Sequence, residues 1–200
     1  MAEPTTPDPH EPRLPPLARS ELSPYARQIF DNVGPGGAAN LVATLAHQPE
    51  LFERFLPVTL ALQGGLLSAR QRESAILRLA YRRGCRYIWR QHVEAALDAG
   101  MTPDEVASLV DDPSRGSRSA IDGALLEAVD ELVDRARIGE ATWAKLWAEL
   151  SPGQLVEATV LVGHYSGLAF LANSAGAVAE SGPPSDPRLD PWTRSDSAQE

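Results

Sequence analysis

Residues 155–178, "LVEATVLVGHYSGLAFLANSAGAV", carry one charged side chain, Glu157. A helix this apolar on every side has to be surrounded by apolar material, either a bilayer or the middle of a helical body. Glu157, His164 and Asn173 interrupt the stretch, and no basic cluster flanks it. Polar groups of this kind are costly in hydrocarbon, so the sequence predicts a helix buried within the protein or an oligomer. The rest of the chain then has to supply elements that pack around it.

Those elements also read as helices. "SPYARQIFDNV" (23–33) starts with Ser23 as N-cap and Pro24 at the first position, and "GPGG" (34–37) ends it. Residues 40–47 and 49–62 read as a helical hairpin broken at Pro49. Ser68 caps a helix that stops at Gly84; the next runs from Tyr87 to Ala99 and stops at Gly100. Thr102, Pro103 and Glu105 form a capping box with proline, and "DDPSRGS" is a loop. Residues 119–136, 140–149 and 152–180 complete the set. No stretch alternates apolar and polar residues with β-branched enrichment, so the expected fold class is all-α, a helical bundle in one domain over 19–181. Residues 1–18 and 182–200 lack an apolar period and are expected to be disordered tails. Trp192 is the one tail residue with reason to pack on the body or on a neighbouring subunit.

Two hundred residues suffice for one sizeable core. A formal net charge of −9 argues against a nucleic-acid partner, because phosphate contacts need a basic surface. Lys145 is the sole lysine, and the run Arg70, Arg72, Arg78, Arg82, Arg83, Arg86 and Arg90 reads mostly as a solvated face; any member pointing inward could clamp a substrate carboxylate. With Cys85 as sole cysteine no intrachain disulfide can form, and the N-terminus has no charged segment followed by an apolar run. A cytoplasmic protein is the default expectation, with no membrane partner.

Three polar residues on otherwise apolar helical faces raise the question of chemistry. Glu73 shares its face with Ile76, Leu77 and Ala80. It is either a structural carboxylate paired with an arginine from another helix or, if unpartnered, one that burial pushes toward its protonated form. His92 sits among Ile88, Trp89, Ala95, Ala96 and Ala99. Alone it would read as a satisfied core histidine, but facing Glu73 across a helix pair it could form a tuned acid–base pair. Cys85 lies seven residues before His92, about 10.5 Å of helical rise, too far for a hydrogen bond. It is either a small buried hydrophobe or a thiol made acidic by the helix start and by Arg83 or Arg86. Tyr165 lies on the face of Ala158, Val162 and Ala169, and its hydroxyl needs a partner if buried. Gly163 and Gly167, one turn apart, would let another helix approach closely, as at a subunit interface; His164 reads as an interface or core residue. No zinc spacing, phosphate loop or dinucleotide fingerprint occurs, so no cofactor and no metal are implied.

Residues 66–110, with "RESAILRLAYRRG" followed by "YIWRQHVEAALDAGMTPDEV", resemble the carboxymuconolactone decarboxylase family, which also contains thiol peroxidases of the alkylhydroperoxidase-D type. The stretch 40–180, including "LVGHYSGLAFL", resembles its longer members. The resemblance implies an all-α fold with a helix pair around the site, assembled as trimers or hexamers. It makes Glu73 the family glutamate and His92 the family histidine, and puts a tyrosine, Tyr165, near the pocket. The peroxidase branch carries a Cys-x-x-Cys whose second thiol stands one turn before the histidine; here the first position is Cys85 and the second is Ile88. Decarboxylase-like members often have a glutamate at the position of Ile88, so neither subgroup pattern is intact.

The leading expectation is an enzyme of the carboxymuconolactone decarboxylase type acting on a small, anionic carbonyl or lactone substrate. His92 would be the general acid/base, Glu73 would orient it or shuttle the proton, and Tyr165 would hydrogen-bond an enolate oxygen. The same groups would serve isomerisation or cyclisation. The alternatives are a thiol-dependent alkyl hydroperoxidase that oxidises Cys85 to a sulfenic acid, and a non-catalytic helical oligomer.

Overall fold

The computed structural model describes residues 11–33, 40–112, 119–180 and 184–192. Their helices are α1 (Pro24–Val33), α2 (Asn40–Leu45), α3 (Pro49–Gln63), α4 (Ala69–Arg82), α5 (Arg86–Asp98), α6 (Pro103–Ala107), α7 (Ala120–Arg135), α8 (Glu140–Glu149) and α9 (Pro152–Ala175). No strand occurs among the described residues. The fold class is all-α, as the sequence predicts.

The predicted caps Ser23, Ser68 and Thr102 each accept a hydrogen bond from a backbone N–H of the first turn of their helix, and Ser119 and Ser151, not singled out in the sequence, do the same on α7 and α9. Gly84 and Gly100 take φ of +60° and +85°, where a side chain would be strained. The α4 end closes with Cys85 N–H donating to the Ala80 carbonyl at 2.8 Å and Gly84 N–H to that of Tyr81 at 3.0 Å. This turn folds α5 back along α4.

The long apolar helix ends earlier than expected. Gly176 adopts φ +67° and Ala177 N–H closes on the Ala172 carbonyl, so α9 stops at Ala175 and not at 180. The small apolar residues beyond it read as more helix, but 177–180 turn to meet α2 and α5. There Glu180 accepts hydrogen bonds from Tyr87 Oη, Gln91 Nε2 and Asn40 N. α9 is long and apolar enough to cross a bilayer, yet one face is buried among the other helices. Its polar interruptions each tie it to a neighbour. Glu157 accepts from Leu66 N and Leu67 N, Asn173 donates to the Arg83 carbonyl, and His164 Nε2 bonds Thr59 Oγ1 at 2.9 Å.

The core has two parts. The larger joins α4, α5, α7 and α9, with α4 at its centre: Ile76, Leu77, Leu79 and Ala80 are all buried. The smaller joins the N-terminal helices through Leu22, Ala26, Ala46 and Phe52. The arginine run departs from the expected solvated face. Arg78 is buried, forks Asp130 with 2.8 and 2.7 Å bonds and donates to the carbonyls of Leu109 and Asp111. Arg82 pairs with Asp130 and Asp134, Arg70 with Glu105, and Arg90 with Asp190. Arg83 lies over the ring of Phe170. The reason is that carboxylates far away in sequence come back opposite these side chains once the bundle closes.

The expected tails fall partly outside the described residues, which exclude 1–10, 181–183 and 193–200. The parts described pack on the body. Leu14 N–H donates to the Ala175 carbonyl, Leu189 is buried, and the indole of Trp89 donates to the Leu189 carbonyl. Trp192 stands edge-on to Trp89, and the Arg86 guanidinium lies over it. Anchors spaced several residues apart hold these segments, a pattern without a period. The "GPGG" stop and most of the "DDPSRGS" loop lie outside the described residues.

Candidate active site

A cavity of about 470 Å³ lies where the two cores meet. α2 and α3 form its roof with Leu41, Val42, Leu45, Phe52, Phe55 and Leu56. α4 and α5 supply the opposite wall with Arg72, Glu73, Ile88, Gln91, His92 and Ala95, and α9 supplies Tyr165 and Leu168.

Glu73 and His92 meet there. Ser68 sets the phase of α4 so that Glu73 faces α5, and the Gly84 turn brings His92 opposite. Nδ1 of His92 lies 2.7 Å from Oε2 of Glu73, whose side chain is 6% exposed. Oε1 of the same carboxylate accepts from Arg72 Nε at 3.2 Å. Glu73 is therefore paired on both oxygens. Burial pushes its carboxyl up, but the hydrogen bond and charge of His92, and then those of Arg72, outweigh it and leave the group below the ordinary glutamate value. The alternative of an unpartnered, protonated glutamate is thus corrected: Glu73 is a carboxylate. A carboxylate on Nδ1 makes that nitrogen the donor, which leaves Nε2 to carry the lone pair in the neutral ring. Nε2 has no hydrogen-bond partner among the described residues.

Tyr165 is buried edge-on against His92, with ring centroids 5.2 Å apart. Burial and the Glu73 charge push its hydroxyl up to about 12, against a smaller opposing pull from a Gln63 hydrogen bond. It is a proton donor at neutral pH. His164, next in the chain, stacks on Phe55 at 4.3 Å and bonds Thr59, so it ties the roof to α9.

Cys85 stands apart. It is fully buried at the start of α5 and does not line the cavity. Burial pushes its thiol up, more than the N–H groups of Ile88 and Tyr87 pull it down. The thiol acidified by the helix start and nearby arginines is not found. Ile88, one turn before His92, lines the cavity wall with hydrocarbon. Gly163 and Gly167 have open space in front of them, with no heavy atom within 4 Å of an added Cβ.

The sequence names Arg72 only as one of a run of arginines, without marking it as the member that points inward or as the partner of Glu73. Its helical position points it away from the Glu73 stripe, and only its long side chain brings the guanidinium back. The roof residues were missed, because nothing local says that α3 faces α5 across a cavity. Among the described residues no group of three His, Cys, Asp or Glu side chains is placed to hold a metal.

Residues 49–131 match the sequence profile of the carboxymuconolactone decarboxylase family. The alkylhydroperoxidase AhpD core protein of Ralstonia eutropha JMP134, described as peroxidase-related, superposes with a TM-score of 0.75 at 19% identity, covering 89% of this chain and 94% of that one. The chain therefore carries a segment similar to the carboxymuconolactone decarboxylase family and shares the fold of AhpD-like proteins. An uncharacterised peroxidase-related protein of Silicibacter sp. TM1040 superposes with a TM-score of 0.73 at 17% identity, covering 90% and 96% of the two chains. The debrominase Bmp8 superposes with a TM-score of 0.73 at 16% identity, covering 88% and 96%. No curated protein sequence matches the chain significantly. At these identities the solved structures share the fold with this chain; the chemistry has to be argued from its own residues.

Proposed function

We propose that the protein is an acid–base enzyme that forms and protonates an enolate on a small carbonyl or lactone substrate, by decarboxylation or by a related isomerisation or cyclisation. The observation that carries this reading is the Glu73–His92 pair at the wall of an apolar cavity, with Nε2 of His92 unpartnered. In a decarboxylation the bond from the substrate's α-carbon to its carboxylate breaks and CO2 leaves. The electron pair moves onto the neighbouring carbonyl, and the enolate takes a proton at carbon. Nε2 of His92 supplies that proton, its ring held in orientation by the Glu73 carboxylate on Nδ1. Tyr165, kept protonated by burial, offers its O–H to the enolate oxygen. The apolar roof keeps water from the carbanion.

The test is turnover of a panel of β-keto acids and lactone carboxylates in D2O, with deuterium read at the product carbon by NMR. His92→Ala should abolish turnover with an unchanged circular dichroism spectrum; wild-type rates in that variant would end the proposal.

A thiol-dependent peroxidase is the second reading, favoured by the peroxidase-related proteins that share the fold. The debrominase was also captured as a Cys→Ala variant with 2,3,4-tribromopyrrole. The burial of Cys85 and the hydrocarbon of Ile88 beside His92 count against it. Peroxide consumption lost in Cys85→Ser would reverse the preference. The proposal includes a homo-oligomer packed on the open α9 face of Val156, Val160, Gly163, Gly167 and Phe170, to be measured by light scattering.

A further inference from the structure

The walls of the cavity are unequal in a way that specifies a ligand. The roof is hydrocarbon apart from Thr59 and Gln63. All the formal charge is at one end, and Arg72 is the single Arg or Lys among the lining residues. Arg72 spends Nε on Glu73, while its two Nη groups have no partner among the described residues. A guanidinium in this position can hold one carboxylate in a fork without releasing Glu73. A second carboxylate would lie on the apolar roof with no cation to offset its lost hydration, which is strongly unfavourable. At about 30 Å³ per water-sized unit, 470 Å³ holds about 15 non-hydrogen atoms.

We propose that the cavity takes a monoanion with an apolar, ring-containing body of about 15 non-hydrogen atoms, its single carboxylate on the Nη groups of Arg72 and its rings against Phe52, Phe55 and Leu168. This deepens the acid–base reading by naming the substrate class, and it rests on that reading for its placement beside His92. Di- and tricarboxylates are poor ligands because the wall offers one cation. Short aliphatic acids are poor ligands because they leave the roof unfilled.

Equilibrium binding to the full chain, measured by calorimetry with naphthoate, naphthalene dicarboxylate, naphthylmethanol and acetate, tests this. Naphthoate should bind at least about tenfold more tightly than the dicarboxylate or acetate. Arg72→Gln should weaken naphthoate by about 10–100-fold, the loss of a charge-assisted pair, and leave naphthylmethanol within about threefold. Ala95→Trp, which fills the cavity from an exposed position on α5, should abolish binding of both at an unchanged melting temperature. Equal or tighter binding of the dicarboxylate overturns the proposal. So does an equal loss of naphthoate and naphthylmethanol in Arg72→Gln, which would assign Arg72 a purely structural role. Turnover in His92→Ala judges the acid–base reading separately, so either can fail alone.

Discussion

Nδ1 of His92 lies 2.7 Å from Oε2 of Glu73, and Ile88, one helical turn before that histidine, puts hydrocarbon on the same cavity wall. The pairing orients an imidazole for proton transfer. The isoleucine removes the position from which a thiol would use it.

Glu73→Gln keeps the shape of the pair and removes its charge. Turnover should fall by roughly 10²–10⁴-fold. The folded-state pKa of Glu73 lies below its unfolded value, so its carboxylate stabilises the fold above the ordinary glutamate range, and that contribution fades as pH falls through the folded value. Wild type should exceed Glu73→Gln in stability by about 1–3 kcal/mol at neutral pH, and the gap should close in acid. Urea melts from pH 7 to about pH 3 check this; a gap that widens toward acid would contradict the pairing.

The Cys85 thiol should not react with a disulfide reagent until the protein unfolds, because it is buried and its pKa is raised. Ile88→Cys places a thiol on the cavity wall and should react under native conditions. A native Cys85 that labels as fast as Cys in the Ile88→Cys variant would disprove the assigned burial.

Arg78 links α4 to α7 and to the carbonyls of Leu109 and Asp111. Arg78→Ala leaves Asp130 with one partner, Arg82, and orphans both carbonyls. It should cost about 3–5 kcal/mol, measured by chemical denaturation. Arg27→Ala, on the surface of α1, should stay within about 0.5 kcal/mol.

Ala136 ends α7 with φ +57°, the one described non-glycine residue in the left-handed region. It is exposed. Ala136→Gly should stabilise the protein by about 0.5–1 kcal/mol, the relief of the left-handed strain less the extra chain entropy of glycine. A lower melting temperature would refute the strain.

Much of this structure was legible beforehand. Caps and stops act through local hydrogen bonds and φ values, so Ser68, Gly84, Gly100 and Thr102 mark their helices without help from the rest of the chain. The faces of Glu73 and His92 follow from helical period for the same reason. The end of α9 was misread because small apolar residues continue past Gly176, and only its left-handed turn shows where the helix breaks. The arginine run was misread because nothing in a run of arginines says where the opposing aspartates will lie.

The residues by themselves determined an all-helical chain, its punctuation, and two ionisable groups on apolar stripes of consecutive helices. These are matters of local geometry and periodicity. Tertiary structure alone decided that Arg72 turns back onto Glu73, that α2 and α3 roof the site, that Cys85 stays sealed outside it, and that the C-terminal segment through Trp192 lies on Trp89. Each depends on contacts between residues far apart in the chain. Their energies exist only once the helices have packed.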